Sequence, residues 1–277
     1  MTANRISWAT FGSTATFVLL WSSGAIFSRL ALDHASTFLL LVLRFALAAS
    51  VLLLISSVLR QPPIPQSGTR LRVSIAGLLM IGGYSSCYFL ALEHGTTPGI
   101  LATILGMQPV ITLVLLERQF VPRRLIGLVL GFLGLVLVVR QNIGAAHISG
   151  SGTLFALGSL ASATIGAILQ KRVTQPPAQV LPLQYVVSGF LCLCLVPSQA
   201  FHIDYGFGLL IPLLWLGIVI SVIAQLLLYR LIRRGNLVNV TSLFYLVPIT
   251  TAAMDYAFLD NRLSYNVTGW LMHLDGA

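Results

Sequence analysis

The chain has 277 residues, 57% of them hydrophobic and 8% charged, with a net charge of +9. Soluble domains carry about a quarter charged residues, so a water-solvated fold is excluded and the solvent to expect is lipid. The cations form no single patch; they sit in clusters between apolar runs, which speaks against nucleic acid as a partner and for a bilayer.

Arg5 precedes the first apolar run, 9–30, which contains Trp21. This run is long for the apolar core of a signal peptide and has a counterpart later in the chain, so it reads as a retained span. The second run, 36–59, carries Arg44 about eight residues inside it. A cation at such depth costs about 3 kcal/mol on insertion scales and should face a cavity or a partner. It could contact an anionic substrate group or act as a strut. An ion pair or bonding to backbone carbonyls that fixes helix packing is the reading the sequence favours. Pro62-Pro63-Ile64-Pro65 ends the run.

The third run, 73–92, holds Tyr84 and Tyr88, and the fourth, 99–116, holds Gln108 and Pro109. Pro122 precedes the fifth, 125–139, and Gly150-Ser151-Gly152 the sixth, 153–169. Both fall short of ~20 residues, so flanking Arg123, Arg124, Lys171 and Arg172 are expected to snorkel. Pro176-Pro177 leads into the seventh, 180–200, with Tyr185. The eighth, 207–229, holds Gln225, and the ninth, 237–259, holds Tyr245, Pro248 and Asp255. A tenth begins near Asn266 and reaches Ala277 before it can cross a ~30 Å core.

Twelve of the sixteen Lys and Arg residues fall in loops on one side of these runs, and only Arg140 and Arg262 on the other. The rich side is therefore expected to be cytoplasmic, with the amino terminus inside. Asp33, Glu93, Asp204 and Asp260 fall opposite.

The runs repeat. Gly24-Ala25-Ile26 recurs as Gly166-Ala167-Ile168, Leu43-Arg44-Phe45 resembles Leu183-Gln184-Tyr185, and Gln108-Pro109-Val110-Ile111-Thr112 resembles Val247-Pro248-Ile249-Thr250. The offsets stay between 139 and 142. Each match is weak alone; their order and constant spacing point to a duplication. Five spans is an odd number, so the second half must enter the membrane inverted. The expected fold is an all-α integral membrane protein of about ten transmembrane helices, a 5+5 inverted-topology repeat with halves 1–147 and 148–277. Carriers of that build hold substrate near the midplane between the halves.

These features together resemble the EamA-type exporters of the drug/metabolite transporter superfamily. The resemblance is carried by Leu20-Trp21-Ser22-Ser23-Gly24-Ala25-Ile26, Leu43-Arg44-Phe45, Leu105-Gly106-Met107-Gln108-Pro109-Val110, Glu117-Arg118, Tyr245-Leu246-Val247-Pro248 and Leu259-Asp260-Asn261-Arg262-Leu263. It covers nearly the whole chain and departs from the family where Asp260-Asn261-Arg262-Leu263 stands for Gly-Glu-Arg-Leu. The resemblance implies export of small metabolites, such as amino acids; a monomer or weak homodimer without cofactors is expected.

Candidate substrate contacts are Trp21, Arg44, Tyr84, Tyr88, Gln108, Tyr185, Gln225 and Tyr245, because aromatic walls with a few polar groups suit amphiphiles. For each of them, interhelical bonding or interfacial anchoring is the plainer reading. Pro109 and Pro248 stand at matching places and either hinge the helices or merely pack. Asp255, at about the depth of Arg44, is a candidate for pairing with it or for proton coupling. Trp8, Trp215 and Trp270 read as interfacial anchors or packing residues, and Gly127 and Gly131 as an internal packing seam. Cys87, Cys192 and Cys194 lack metal-ligand spacing. No zinc-protease helix, Walker loop or nucleophile elbow occurs. The competing expectations are a non-transporting protein of the same fold, a sugar or drug carrier, and, less favoured, an intramembrane enzyme or channel.

Overall fold

The structure is a computed structural model and describes residues 2–60, 62–116, 122–143 and 150–251. The helices are α1 (Thr2–Leu32), α2 (Thr37–Val58), α3 (Arg70–Glu93), α4 (Pro98–Leu105), α5 (Gln108–Leu116), α6 (Pro122–Ile143), α7 (Gly150–Lys171), α8 (Pro177–Leu195), α9 (Phe207–Arg234) and α10 (Leu237–Thr251). Six are long and apolar enough to cross a membrane, within α1, α2, α3, α7, α8 and α9. The α4–α5 pair, α6 and α10 hold shorter apolar stretches. Helix is what such a sequence must form, because in hydrocarbon only local pairing satisfies every backbone group. Leu54, Leu130, Leu154 and Phe190 point outward and are more than half exposed. Water would not tolerate that girdle; lipid does.

Helices α6 and α7 run longer than their apolar stretches, because Gly150, Ser151, Arg140 and Gln141 extend them without reading as apolar. Pro109 does not kink a continuous helix. The chain turns at Gly106 and Met107, and Pro109 falls in the first turn of α5, where its missing N–H would have had no intrahelical partner. Pro248 likewise follows a tightened 3₁₀ stretch, Leu243–Tyr245. Helices α3 and α9 each contain a π segment, Leu78–Gly83 and Trp215–Ala224.

Caps fix the short helices. Thr97 Oγ1 accepts from Ile100 N at 3.4 Å, with Pro98 at the first turn of α4. Asn236 Oδ1 accepts from Val238 N at 2.9 Å at the start of α10. Asn236→Ala removes that acceptor, and a thermal melt in detergent is expected to report about 1 kcal/mol of lost stability.

The core runs between α2 and α8, with Phe45, Leu41, Leu181 and Tyr185 fully buried. Helix α1 packs on α9, α3 on α7, and α5 on α10. One end of the bundle is basic: Lys171, Arg233 and Arg234 meet there, and Gln175 Nε2 donates to Thr69 Oγ1 at 2.7 Å. At the other end Ala35 and Ile203 form an antiparallel bridge. Glu93 accepts there from Thr37 Oγ1 at 3.0 Å and Gln199 Nε2 at 2.7 Å. His202 lies 3.5 Å from Asp204 at the same end.

Candidate functional site

A narrow cavity opens where α1, α3, α4, α5, α7, α9 and α10 converge. Four of the eight sequence candidates line it: Trp21, Tyr84, Gln108 and Gln225. Its aromatic wall is built from two helices far apart in sequence, since Trp21 and Phe244 meet edge to face at 5.6 Å and Phe17 backs both. Tyr84, just past the π segment of α3, lines the same cavity as Trp21. Gln108 starts α5 immediately after the turn at Gly106 and Met107, so the break aims its amide inward; it is 6% exposed. Gln225 sits where the π segment of α9 ends and is equally buried. Met80, Ala163, Ala167, Leu228, Ile232 and Val240 complete an apolar lining, with Thr241 adding a hydroxyl. Neutral amide and hydroxyl groups on an apolar wall suit a solute with one polar and one apolar part.

The other candidates form a second layer. Arg44 is half-buried, and its Nε donates to Ser221 Oγ at 2.8 Å. Tyr84, Tyr88, Tyr185 and Cys192 lie within electrostatic reach of the guanidinium, and among the described residues no carboxylate lies within 4 Å of it. The Tyr185 hydroxyl donates to Ser221 O. The π segment of α9 is thus held at one residue by α2 and by α8. Tyr88 lies beside Tyr84, with tilted rings whose centroids are 5.8 Å apart. Tyr245 turns away from the cavity: its ring faces Gly131 of α6, and its hydroxyl is buried without a partner among the described residues. Pro109 is buried behind Gln108 and Pro248 is half-buried. Asp255, Glu117, Arg118, Arg262 and Trp270 lie outside the described residues.

Trp215 is a packing residue, as its Nε1 donates to Ser23 Oγ at 2.9 Å and its ring stacks on Phe27 at 4.9 Å. The three cysteines are free, and among the described residues no group of three metal-ligating side chains exists. Sequence reasoning missed Phe244 and the apolar lining, because such residues carry no mark that separates a cavity wall from ordinary packing.

A bundle of apolar helices, six of them long enough to cross a membrane, around a shared cavity is the build of a multi-pass membrane protein. The chain belongs to the EamA-like transporter family, whose model matches residues 8–140 and again 150–269. A Bacillus subtilis protein described as the uncharacterized transporter YvbV is 26% identical over 267 residues, covering 93% of this chain and 86% of its own. A probable amino-acid metabolite efflux pump of Escherichia coli is 22% identical over 266 residues, covering 89% of this chain and 86% of its own. One crystal structure, 20% identical, aligns with a TM-score of 0.77 over 91% of this chain and 89% of that one; at that identity the likeness shows the fold.

Proposed function

We propose that the protein is a secondary transporter that exports small amphiphilic metabolites, amino acids foremost, across the cell membrane. It works by alternating access between two inverted five-span halves, 1–147 and 148–277, with the basic end and the amino terminus in the cytoplasm. The observation that carries this is the cavity, which takes Trp21, Tyr84 and Gln108 from one half and Gln225, Thr241 and Phe244 from the other. Carriers of inverted-repeat build bind substrate at that junction.

The pairing of helices supports the halves. If α1 corresponds to α7, α2 to α8, α3 to α9, and the α4–α5 pair to α10, the α2–α8 and α5–α10 contacts map onto themselves, and α1–α9 maps onto α7–α3. Residue detail agrees. Gly24 abuts Ile220, and its equivalent Gly166 abuts Met80, the equivalent of Ile220. Thr97 and Asn236 cap equivalent helix starts. Both third spans carry a π segment.

The amino-acid reading draws support from the Escherichia coli efflux pump and from the cavity's mixed lining. Arg44, one layer beyond Tyr84, adds a positive field beside it that favours a carboxylate. Counterflow of a labelled amino-acid mixture in proteoliposomes tests this. Exchange above empty liposomes, competed by single amino acids, is expected. Well-folded protein that exchanges none of them overturns the amino-acid assignment.

A further inference from the structure

The two proposed halves match at several places along the chain, yet they differ in conformation, and the differences fall at three matching places. The first is packing. Beyond its π segment, α3 lies along α7: Ser159 Oγ donates to Tyr84 O at 3.1 Å, and a side chain at Gly158 would meet Cys87 Sγ at 3.2 Å. The equivalent stretch of α9, Gln225–Arg234, touches α1 only lightly and borders the cavity instead.

The second difference is at the helix ends. Gly95 has φ +85°, with Gly95 N donating to Leu92 O at 3.1 Å and Thr96 N to Ala91 O at 2.9 Å, so α3 caps itself. The equivalent Gly235 is extended, with φ −94° and ψ 173°. The end of α9 is met by another helix: Lys171 Nζ donates to Ile232 O at 2.7 Å, Arg233 O at 3.2 Å and Gly235 O at 2.6 Å. An ammonium has three donors, and all three point at a helix C-terminus, where the dipole favours a cation.

The third is the counterpart of Lys171. The spacing that pairs Gly24 with Gly166 pairs Arg29 with Lys171. Arg29 is exposed and lies 3.9 Å from Asp33, one turn along its own helix, rather than on the end of α3.

The geometry points to Lys171 and Arg29 as the two latches of the transport cycle. Lys171 holds the far half of α9 on α7, away from α1, in the state seen here; Arg29 holds the far half of α3 on α1, away from α7, in the other. This rests on the alternating-access reading above. A carrier of inverted repeats reaches its second state when its halves exchange conformations, and the exchange specifies each change. The far half of α3 leaves α7, its end passes from the Gly95 cap to Arg29, and the far half of α9 closes on α1 as Lys171 lets go. Gly235 then takes the positive φ that Gly95 gives up, a swap that glycine makes at little cost.

The pivots are already fixed. The π segments lie where the far halves begin. Ser188 Oγ donates to Gly77 O at 3.2 Å and Gln184 Nε2 to Val73 O at 3.1 Å, just before the one. Arg44 and Tyr185 hold Ser221 inside the other. Helices α2 and α8 thus form a static pair on which both far halves can swing.

Cys87, half-exposed, reports the motion, because its thiol faces Gly158 of α7 in the present state and leaves it in the other. In nanodiscs, with Cys192→Ser and Cys194→Ser removing the other thiols, we would follow labelling of Cys87 by a water-soluble maleimide. Lys171→Met is expected to raise its rate about tenfold, and Arg29→Met to lower it below the parent; the double variant returns towards the parent. Opposite signs separate latching from loosening. A rise in both variants, or no change in Lys171→Met, overturns the assignment. Counterflow on the same samples separates this from the transport reading. Opposite shifts in a protein that exchanges no amino acid leave the latches standing and remove only the amino-acid assignment. Intact exchange with unshifted labelling removes the latches alone.

Discussion

Gly166→Ala is expected to remove most of the folded, monodisperse protein, whereas Gly24→Ala leaves yield and melting temperature unchanged. The two glycines stand in matching Gly-Ala-Ile triplets, so nothing in their own neighbourhoods along the chain predicts a difference. The structure does. A Cβ on Gly166 would lie 2.6 Å from Met80 N and 2.8 Å from Met80 Cα. Those are backbone atoms of α3, which cannot rotate aside. The helices would have to part beside the π segment, at about 3 kcal/mol for overpacking. A Cβ on Gly24 would meet only the Ile220 side chain, at 3.5 Å, an ordinary contact. Size-exclusion profiles and thermal melts of the two variants check the contrast. If α3 and α9 exchange roles during transport, Gly24 must in turn approach Ile220 as closely as Gly166 now approaches Met80. Gly24→Ala should then slow counterflow several-fold while sparing stability, and unchanged counterflow would count against the exchange.

Hydropathy and breakers placed the nine apolar stretches of the described residues, because a helix in lipid must be apolar and must end where it is not. The same logic found four of the residues that line the cavity. Trp21, Tyr84, Gln108 and Gln225 are polar or amphipathic in apolar helices, so they had to face protein or a cavity, and they face the cavity. Tyr185, Tyr88 and Arg44 send the same signal but form the layer behind it, and a sequence cannot rank depth from the cavity. The π segments were invisible, since Leu78-Leu79-Met80-Ile81-Gly82-Gly83 reads like any apolar turn. Lys171 was legible only as one more cation on the basic side. Its role as a cap depends on three carbonyls that lie more than sixty residues away.

Arg44→Ala is expected to cut counterflow about a hundredfold, the scale of one or two charge-assisted hydrogen bonds, while the protein still folds. Folding should survive because among the described residues Arg44 makes one hydrogen bond, through Nε to Ser221, and Tyr185 holds Ser221 independently through its carbonyl. Transport should not, for either of two physical reasons. Arg44 braces the π segment from which Gln225 projects, and it supplies the positive field beside a cavity whose own lining is neutral. Two further variants divide those roles. Ser221→Ala removes the Oγ acceptor but keeps the charge, so it reproduces the loss only if the brace matters. Arg44→Lys keeps a cation but gives up the planar fork; if the field alone matters, it retains most of the rate, with a raised KM for solutes that carry a carboxylate. Amides of the same solutes lack that charge and should lose little with any of the three variants under the field account, and as much as the acids under the brace account. Measuring acid and amide side by side in Arg44→Ala therefore decides whether the half-buried cation acts on the substrate or on the helix that holds it.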